Sequence, residues 1–271
     1  MKAYRPASGK FLCPFGSKRQ ADLRYIVVLL FTVCSLFTPL TISAQSDGDD
    51  FGLDFQLEAE KKLTKKWSLS LGAELRTRDN TKEVDRWSVG VGADYKVTKW
   101  LKASAGYDLL IDNRDKSTYK KNGELNKVAE FWGVRHRVNV ALTASQKLGD
   151  FKVSLRERWQ YTYRPEKTID RYDVDDEDYE SKTYSGKAKH LLRSRLQVGY
   201  SVPGTKLSPY ANVELFNGWS LVKTRYIIGT DYDLSKKHSF GLFYRYQAVH
   251  NDTDNEESDV HLIGFSYKFK F

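Results

Sequence analysis

From residue 51 onward the chain alternates apolar and polar positions with a period of two. In 51–60 the apolar set is Phe51, Leu53, Phe55, Leu57 and Ala59. In 67–78 it is Trp67, Leu69, Leu71, Ala73 and Leu75, opposed by Ser68, Ser70, Gly72, Glu74, Arg76 and Arg78. In 86–97, Trp87, Val89, Val91, Ala93, Tyr95 and Val97 oppose Ser88, Gly90, Gly92, Asp94 and Lys96. Successive side chains of a strand point to opposite faces, whereas a helix repeats near every 3.6 residues, so the pattern predicts strands. It continues near 100–111, 130–144, 151–163, 189–202, 210–216, 222–234, 238–249 and 259–271.

These segments approach the roughly 9–11 residues that a tilted strand needs to cross a bilayer. Eleven candidates result, yet bacterial single-chain barrels have an even strand number, so the expectation is ten or twelve. Either the first segment is not a full wall strand, or one has been missed or split, and 210–216 is the weakest. Short connections at 98–99, 145–150, 203–209 and 235–237 alternate with longer polar stretches at 112–129, 164–188 and 251–258. That is the asymmetry of short periplasmic turns and long outer loops, with the short link at Asn217 and Gly218 as the exception. Trp67, Trp87, Trp100 and Trp132 stand at strand starts, Trp159 near a strand end and Trp219 at a loop, a girdle at the water–lipid boundary. A soluble sandwich would leave the apolar rows without a second sheet to cover them.

Ahead of this pattern, Arg19 and Arg24 precede an uncharged run that ends in Ile42, Ser43, Ala44 and Gln45. A basic start, an apolar middle and a small residue before Gln45 predict a secretory signal peptide over 1–44, followed by a barrel domain over 45–271. An uncleaved anchor helix is the alternative; Val33 before Cys34 is too large for a lipobox. The leader changes the charge picture. The full chain has 44 Lys and Arg against 35 Asp and Glu, a net charge of +9. Removing Lys2, Arg5, Lys10, Lys18, Arg19, Arg24 and Asp22 leaves 38 against 34, or +4. Nucleic-acid binding thereby loses its support. Cys13 and Cys34, the chain's two cysteines, leave with the leader, so the exported part forms no disulfide and no thiolate metal site.

In the last segment Ile263, Phe265, Tyr267, Phe269 and Phe271 alternate with Gly264, Ser266, Lys268 and Lys270. A terminal aromatic strand ending in phenylalanine resembles the signal read by the barrel-assembly machinery of the outer membrane, which the resemblance makes a partner. Other stretches resemble the family of Gram-negative outer-membrane barrels known as domain-of-unknown-function 2490. They are Arg156-Glu157-Arg158-Trp159, Leu192-Arg193-Ser194-Arg195-Leu196, Pro209-Tyr210 leading to Glu214-Leu215-Phe216, Arg225-Tyr226 leading to Gly229, and Tyr244-Arg245-Tyr246-Gln247. The likeness spans nearly the whole exported part through short, degenerate motifs. It implies fold and location, and brings no established reaction or ligand.

Strand parity places Arg76, Arg78, Arg135, Arg137, Arg156, Arg158, Arg193, Arg195, Arg225 and Arg245 on polar faces, with Glu74, Asp94, Asp108, Glu214, Asp231 and Asp233. A charged side chain facing lipid at the midplane costs about 2–4 kcal/mol, so these residues are expected to line the lumen. In one reading, guanidinium forks and carboxylates make a network that fills the lumen and fixes strand register. In the other, the arginine excess is a positive track for small anionic solutes, resembling the arginine-lined tracks of oligogalacturonate channels. The network comes first because packed polar interiors are normal in barrels of this size, and a partly neutralised network can still pass anions.

A lipid-modifying enzyme is the third possibility, since His136 and Ser194 share the apolar parity, but no GxSxG elbow or Ser-His-acid spacing supports it. His190, His238 and His261 suit the membrane boundary. Asp173, Asp175, Asp176, Glu177, Asp178 and Glu180 make one outer loop acidic, and Asp252, Asp254, Glu256, Glu257 and Asp259 another. Neither has the glycine and terminal glutamate of an EF-hand, so solvated, mobile loops are expected, with divalent bridging to lipopolysaccharide as the alternative. The sequence thus predicts an all-β, monomeric, transmembrane antiparallel up-and-down barrel in the outer membrane. Neither a cofactor nor a nucleic-acid partner is expected. Its role is a narrow porin-like or structural one, with a closed barrel for adhesion or envelope integrity as the alternative.

Overall fold

The computed structural model describes residues 50–250 and 259–271. The expected leader and the acidic stretch 251–258 lie outside the described residues. Thirteen strands occur: β1 (Asp50–Lys62), β2 (Trp67–Arg78), β3 (Glu83–Lys96), β4 (Leu101–Tyr119), β5 (Leu125–Leu148), β6 (Phe151–Arg164), β7 (Lys167–Asp173), β8 (Asp178–Tyr184), β9 (Lys187–Tyr200), β10 (Leu207–Asn217), β11 (Leu221–Asp233), β12 (His238–Val249) and β13 (Val260–Lys270).

Eleven of them close into a barrel. β1 to β6 pair in sequence, β6 pairs with β9, and β9 to β13 continue the antiparallel meander. The ring shuts where β1 meets β13 in a parallel ladder running from Asp50↔Val260 to Glu60↔Lys270. An odd meander brings its first and last strands together in the same direction, and that explains the parallel seam. The expectation of ten or twelve strands is therefore corrected. The first segment is a full wall strand, and the short segment at 210–216 is the centre of an 11-residue strand, β10.

Two expected outer loops are largely strand. Residues 112–119 continue β4 and 125–129 begin β5, leaving 120–124 as the turn. Residues 164–188 hold the β7–β8 hairpin, which extends the β6–β9 hairpin and touches β5 at Lys127↔Asp173 and Val128↔Tyr172. The acidic stretch at its tip is tied down: Lys127 Nζ lies 2.8 Å from both Asp173 and Glu180, and Lys120 Nζ 2.5 Å from Asp175. Asp259 accepts from the Val249 amide at 2.7 Å.

Parity sorts the two faces. Leu57, Leu71, Val91 and Ile228 point outward and are more than half exposed, with no second sheet over them, so the bilayer is the phase that covers this surface. The least exposed side chains, Asp54, Leu110 and Leu262, point into the barrel. Aromatic rings band the outer wall, and several satisfy their polar edges within it. Tyr107 bonds His136 at 2.7 Å, Tyr244 bonds His261 at 2.6 Å and Tyr267 bonds His238 at 2.7 Å. His190 packs on Trp159 and Tyr161.

Gly264 is required by close approach. A Cβ built on Gly264 would fall 1.9 Å from Cζ of Phe243, whose ring lies across the glycine inside the barrel. The Arg245 guanidinium sits 5.1 Å from the centre of that same ring.

Two predictions follow from these contacts. Gly264→Ala must displace Phe243 and is expected to destabilise the barrel by about 1–3 kcal/mol, read as a lower urea midpoint in lipid vesicles; an unchanged midpoint would contradict the packing. In the hairpin, the hydrogen bond from Lys127 holds the Asp173 and Glu180 carboxyls below their usual range. A depressed carboxyl stabilises above its unfolded pKa, roughly 4, and that contribution is lost as pH falls through the folded value. Amide protection of β7–β8, corrected for intrinsic exchange, should hold from neutral pH to about 4 and fall below it. Lys127→Gln should flatten this dependence.

Candidate functional site: the arginine-lined interior

The inward rows converge on a cavity of about 380 Å³ inside the barrel. Among the described residues twelve arginines and three lysines line it, against three carboxylates, Glu74, Asp108 and Glu214. Two further acids, Asp54 and Asp112, lie buried in the wall just behind. The arginines arrive as repeating pairs because residues i and i+2 of a strand share a face. Arg156 and Arg158 on β6 stand directly opposite Arg195 and Arg193 on β9.

Three buried carboxylates act as nodes, each joining arginines from two strands. Asp54 on β1 accepts from Arg245 at 2.6 Å and lies 3.5 Å from Arg76. Asp112 on β4 accepts from Nε and Nη2 of Arg135 at 2.6 and 2.5 Å and also bonds Arg86. Glu214 on β10 accepts from Arg156 at 2.5 Å and Arg193 at 2.9 Å. Glutamine and asparagine extend these links: Arg193 donates to Gln160 at 2.9 Å, Arg225 to Gln247 at 2.8 Å, and Asn139 to Asp108 at 2.7 Å. Glu74 pairs with Arg76 at 2.6 Å. Phe216, buried among Leu191 and Val222, offers its ring to Arg193, Arg225 and Lys223 at 4.4–4.9 Å. A single aromatic ring thus carries three cations.

Neutralisation stops there. Arg137, Arg158 and Arg195 face the same cavity with no carboxylate in bonding range among the described residues, and the Nε of each lacks an acceptor. Like charges directly opposite across a ladder repel, and among the described carboxylates only Glu214 bridges the Arg158/Arg193 and Arg156/Arg195 pairs.

Of the residues expected in the lumen, Arg76, Arg135, Arg137, Arg156, Arg158, Arg193, Arg195, Arg225, Arg245, Glu74, Asp108 and Glu214 line this cavity. Arg78, Asp94, Asp231 and Asp233 do not. Arg78 bonds Glu83 and Asp115 at 3.0 and 2.7 Å near the outer rim, and Asp94 accepts from Ser104 at 2.5 Å near the opposite turns. Eight charged residues of this interior escaped the parity reading although they follow it: Asp54, Arg86, Lys189 and Lys223 on polar positions, and Asp112, Arg114, Arg164 and Lys187 just beyond the segments' assumed ends. The lipid-facing His136 and Ser194 are not brought together. His136 is level with Tyr163, six residues along β6 from Glu157, and Ser194 lies opposite Glu157 and donates to it at 2.6 Å. The two are therefore roughly 20 Å apart along the strands.

Two solved structures share this architecture. One is the β-domain of the Bordetella autotransporter BrkA, with 16% identity and a TM-score of 0.50, covering 76% of this chain and 83% of that one. The other is the translocator domain of the autotransporter NalP from Neisseria meningitidis, with 8% identity and a TM-score of 0.51, covering 85% and 94%. At such identities the likeness is one of fold, and it is the fold of an outer-membrane barrel. Comparison with curated proteins gives no match. The family model described as "Protein of unknown function (DUF2490)" matches residues 51–258, and the chain belongs to that family.

Proposed function

We propose that this outer-membrane barrel is a narrow pore whose arginine-lined interior binds and passes small anionic solutes. The observation that carries this reading is the set of Arg137, Arg158 and Arg195 on one cavity without carboxylate partners among the described residues. The three carboxylate nodes hold Arg76, Arg86, Arg135, Arg156, Arg193 and Arg245 in place, so the surplus charge sits on a fixed scaffold. In an interior of low dielectric a fixed surplus attracts an anion far more strongly than an exposed one, and it excludes cations. Guanidinium groups suit carboxylate, sulfate and phosphate solutes, which accept two parallel hydrogen bonds. A closed wall that stiffens the envelope is the second reading, favoured by the cross-strand bridges and the cations packed on Phe216.

Planar-bilayer recording separates the two. The pore reading expects conductance with a reversal potential that favours chloride over potassium in a salt gradient. Arg158→Gln with Arg195→Gln should lower that permeability ratio about twofold or more while the barrel still folds. Glu214→Gln should raise the ratio but leave Arg156 and Arg193 uncompensated, a cost of about 3–5 kcal/mol in unfolding. Absence of conductance would select the closed wall, and cation selectivity would end the anion reading.

A further inference from the structure

We propose that a gap in the barrel wall between β5 and the β6–β7 junction is a binding site for an amphiphile with an acyl body and an anionic head. The ladder between β5 and β6 ends at His136↔Tyr163, and β5 next pairs at Val128↔Tyr172 on β7. Between these points residues 129–135 and 164–171 face one another without a ladder. Pro165 stands in the break, where it supplies no N–H for pairing. The gap opens just above the row of Tyr163 and His136, beside Trp132, and so at the level of lipid head groups on the outer side.

A cavity of about 420 Å³ occupies the gap. Its floor is apolar, formed by Phe131, Val134, Pro165 and Tyr184, with the Phe131 and Tyr184 rings stacked at 6.1 Å. Cations ring it. Lys116 Nζ lies 5.8 Å from the Tyr184 ring centre and Lys167 Nζ 5.5 Å from that of Phe131, while Lys167 also donates to the Trp132 carbonyl across the gap. Arg164 lines both this cavity and the arginine-lined interior. A site of this size with an apolar floor and a few cationic groups is built for an apolar body carrying one anionic end. Lys116, Phe131 and Arg164 stand on inward positions and Val134 on an outward one, so the cavity lies behind the gap, and the gap is its way in from the membrane plane. The site stands whether or not the interior conducts, because none of its residues except Arg164 belongs to that cavity.

The test places the full barrel in phosphatidylcholine bilayers with a trace of spin-labelled stearate, spin-labelled phosphatidylglycerol or spin-labelled phosphatidylcholine. The motionally restricted fraction per barrel is then measured. The anionic labels should be held in preference to phosphatidylcholine. The double variant Lys116→Gln, Lys167→Gln should weaken that preference about tenfold. Glu166→Gln, which removes the one acid lining the site, should strengthen it, and the interior variant Arg158→Gln should leave it unchanged. Heat-modifiable gel mobility checks that each variant is folded. Preference for stearate alone assigns a free carboxylate, preference for phosphatidylglycerol alone a phosphodiester, and both together a site that tolerates either head. Equal restriction of the three labels overturns the proposal. So does a preference that ignores the lysine variant, or one that Arg158→Gln abolishes.

Discussion

A strand crossing a bilayer finds no water for its amides, so every N–H and C=O at that depth must pair within the wall. That requirement forces closure, and closure divides each strand's side chains into a lipid row and an interior row. The outward Leu, Val and aromatic rows and the inward Arg, Asp and Glu rows are two sides of the same constraint. The wall can part only where its backbone is out of the hydrocarbon, and the break at Pro165 lies above the outer aromatic belt. Strand parity thus decides where charge collects, and the bilayer's thickness decides where the ladder is free to open.

The interior then faces a second difficulty, because crowded guanidinium groups repel one another. Asp54, Asp112 and Glu214 relieve it by geometry, each placed between arginines of neighbouring strands. Removing Asp112 or Glu214 strands two buried cations and removing Asp54 strands Arg245, and this makes the nodes costlier to lose than exposed ion pairs. The same bridges oppose register slips. A one-residue shift of β1 would turn Asp54 toward lipid and Phe55 inward.

Much of this was legible in the sequence. The alternation in 67–78 and 86–97 located strands, faces and the inward arginines, since period two is a local property that each segment displays alone. Segment ends were less legible. Asp112 and Arg114 lie where polar residues begin to dominate both rows, so the alternation fades although β4 runs on to Tyr119. Asp54 follows its row, but β1 was doubted as a wall strand on the expectation of an even number. Strand number is a global property of closure, and no single segment encodes it. The wall gap was invisible for a related reason: it depends on which residue of β5 meets which residue of β7, and Phe131 and Tyr184 are more than fifty residues apart in the chain. Arg78 satisfies parity yet misses the cavity, because parity fixes a face and leaves height unspecified.

The parallel seam bears on how the barrel comes to exist. Every other wall ladder joins neighbours in the meander and can zip from a turn, whereas β1 and β13 are brought together by the ends of the whole domain. Lys268 and Glu58, 2.8 Å apart, are separated by 210 residues, and Arg245 and Asp54 by 191. Loop-closure entropy makes such a contact late, and until it forms both edge strands are open templates for pairing with other chains. The seam has no turn to guide it, so its alignment falls to side chains. Phe55 stacks on Phe265 at 5.6 Å on the outer face, while the Lys268 and Arg245 bridges engage within. These contacts are the fastening of a ring whose two free ends must find each other last.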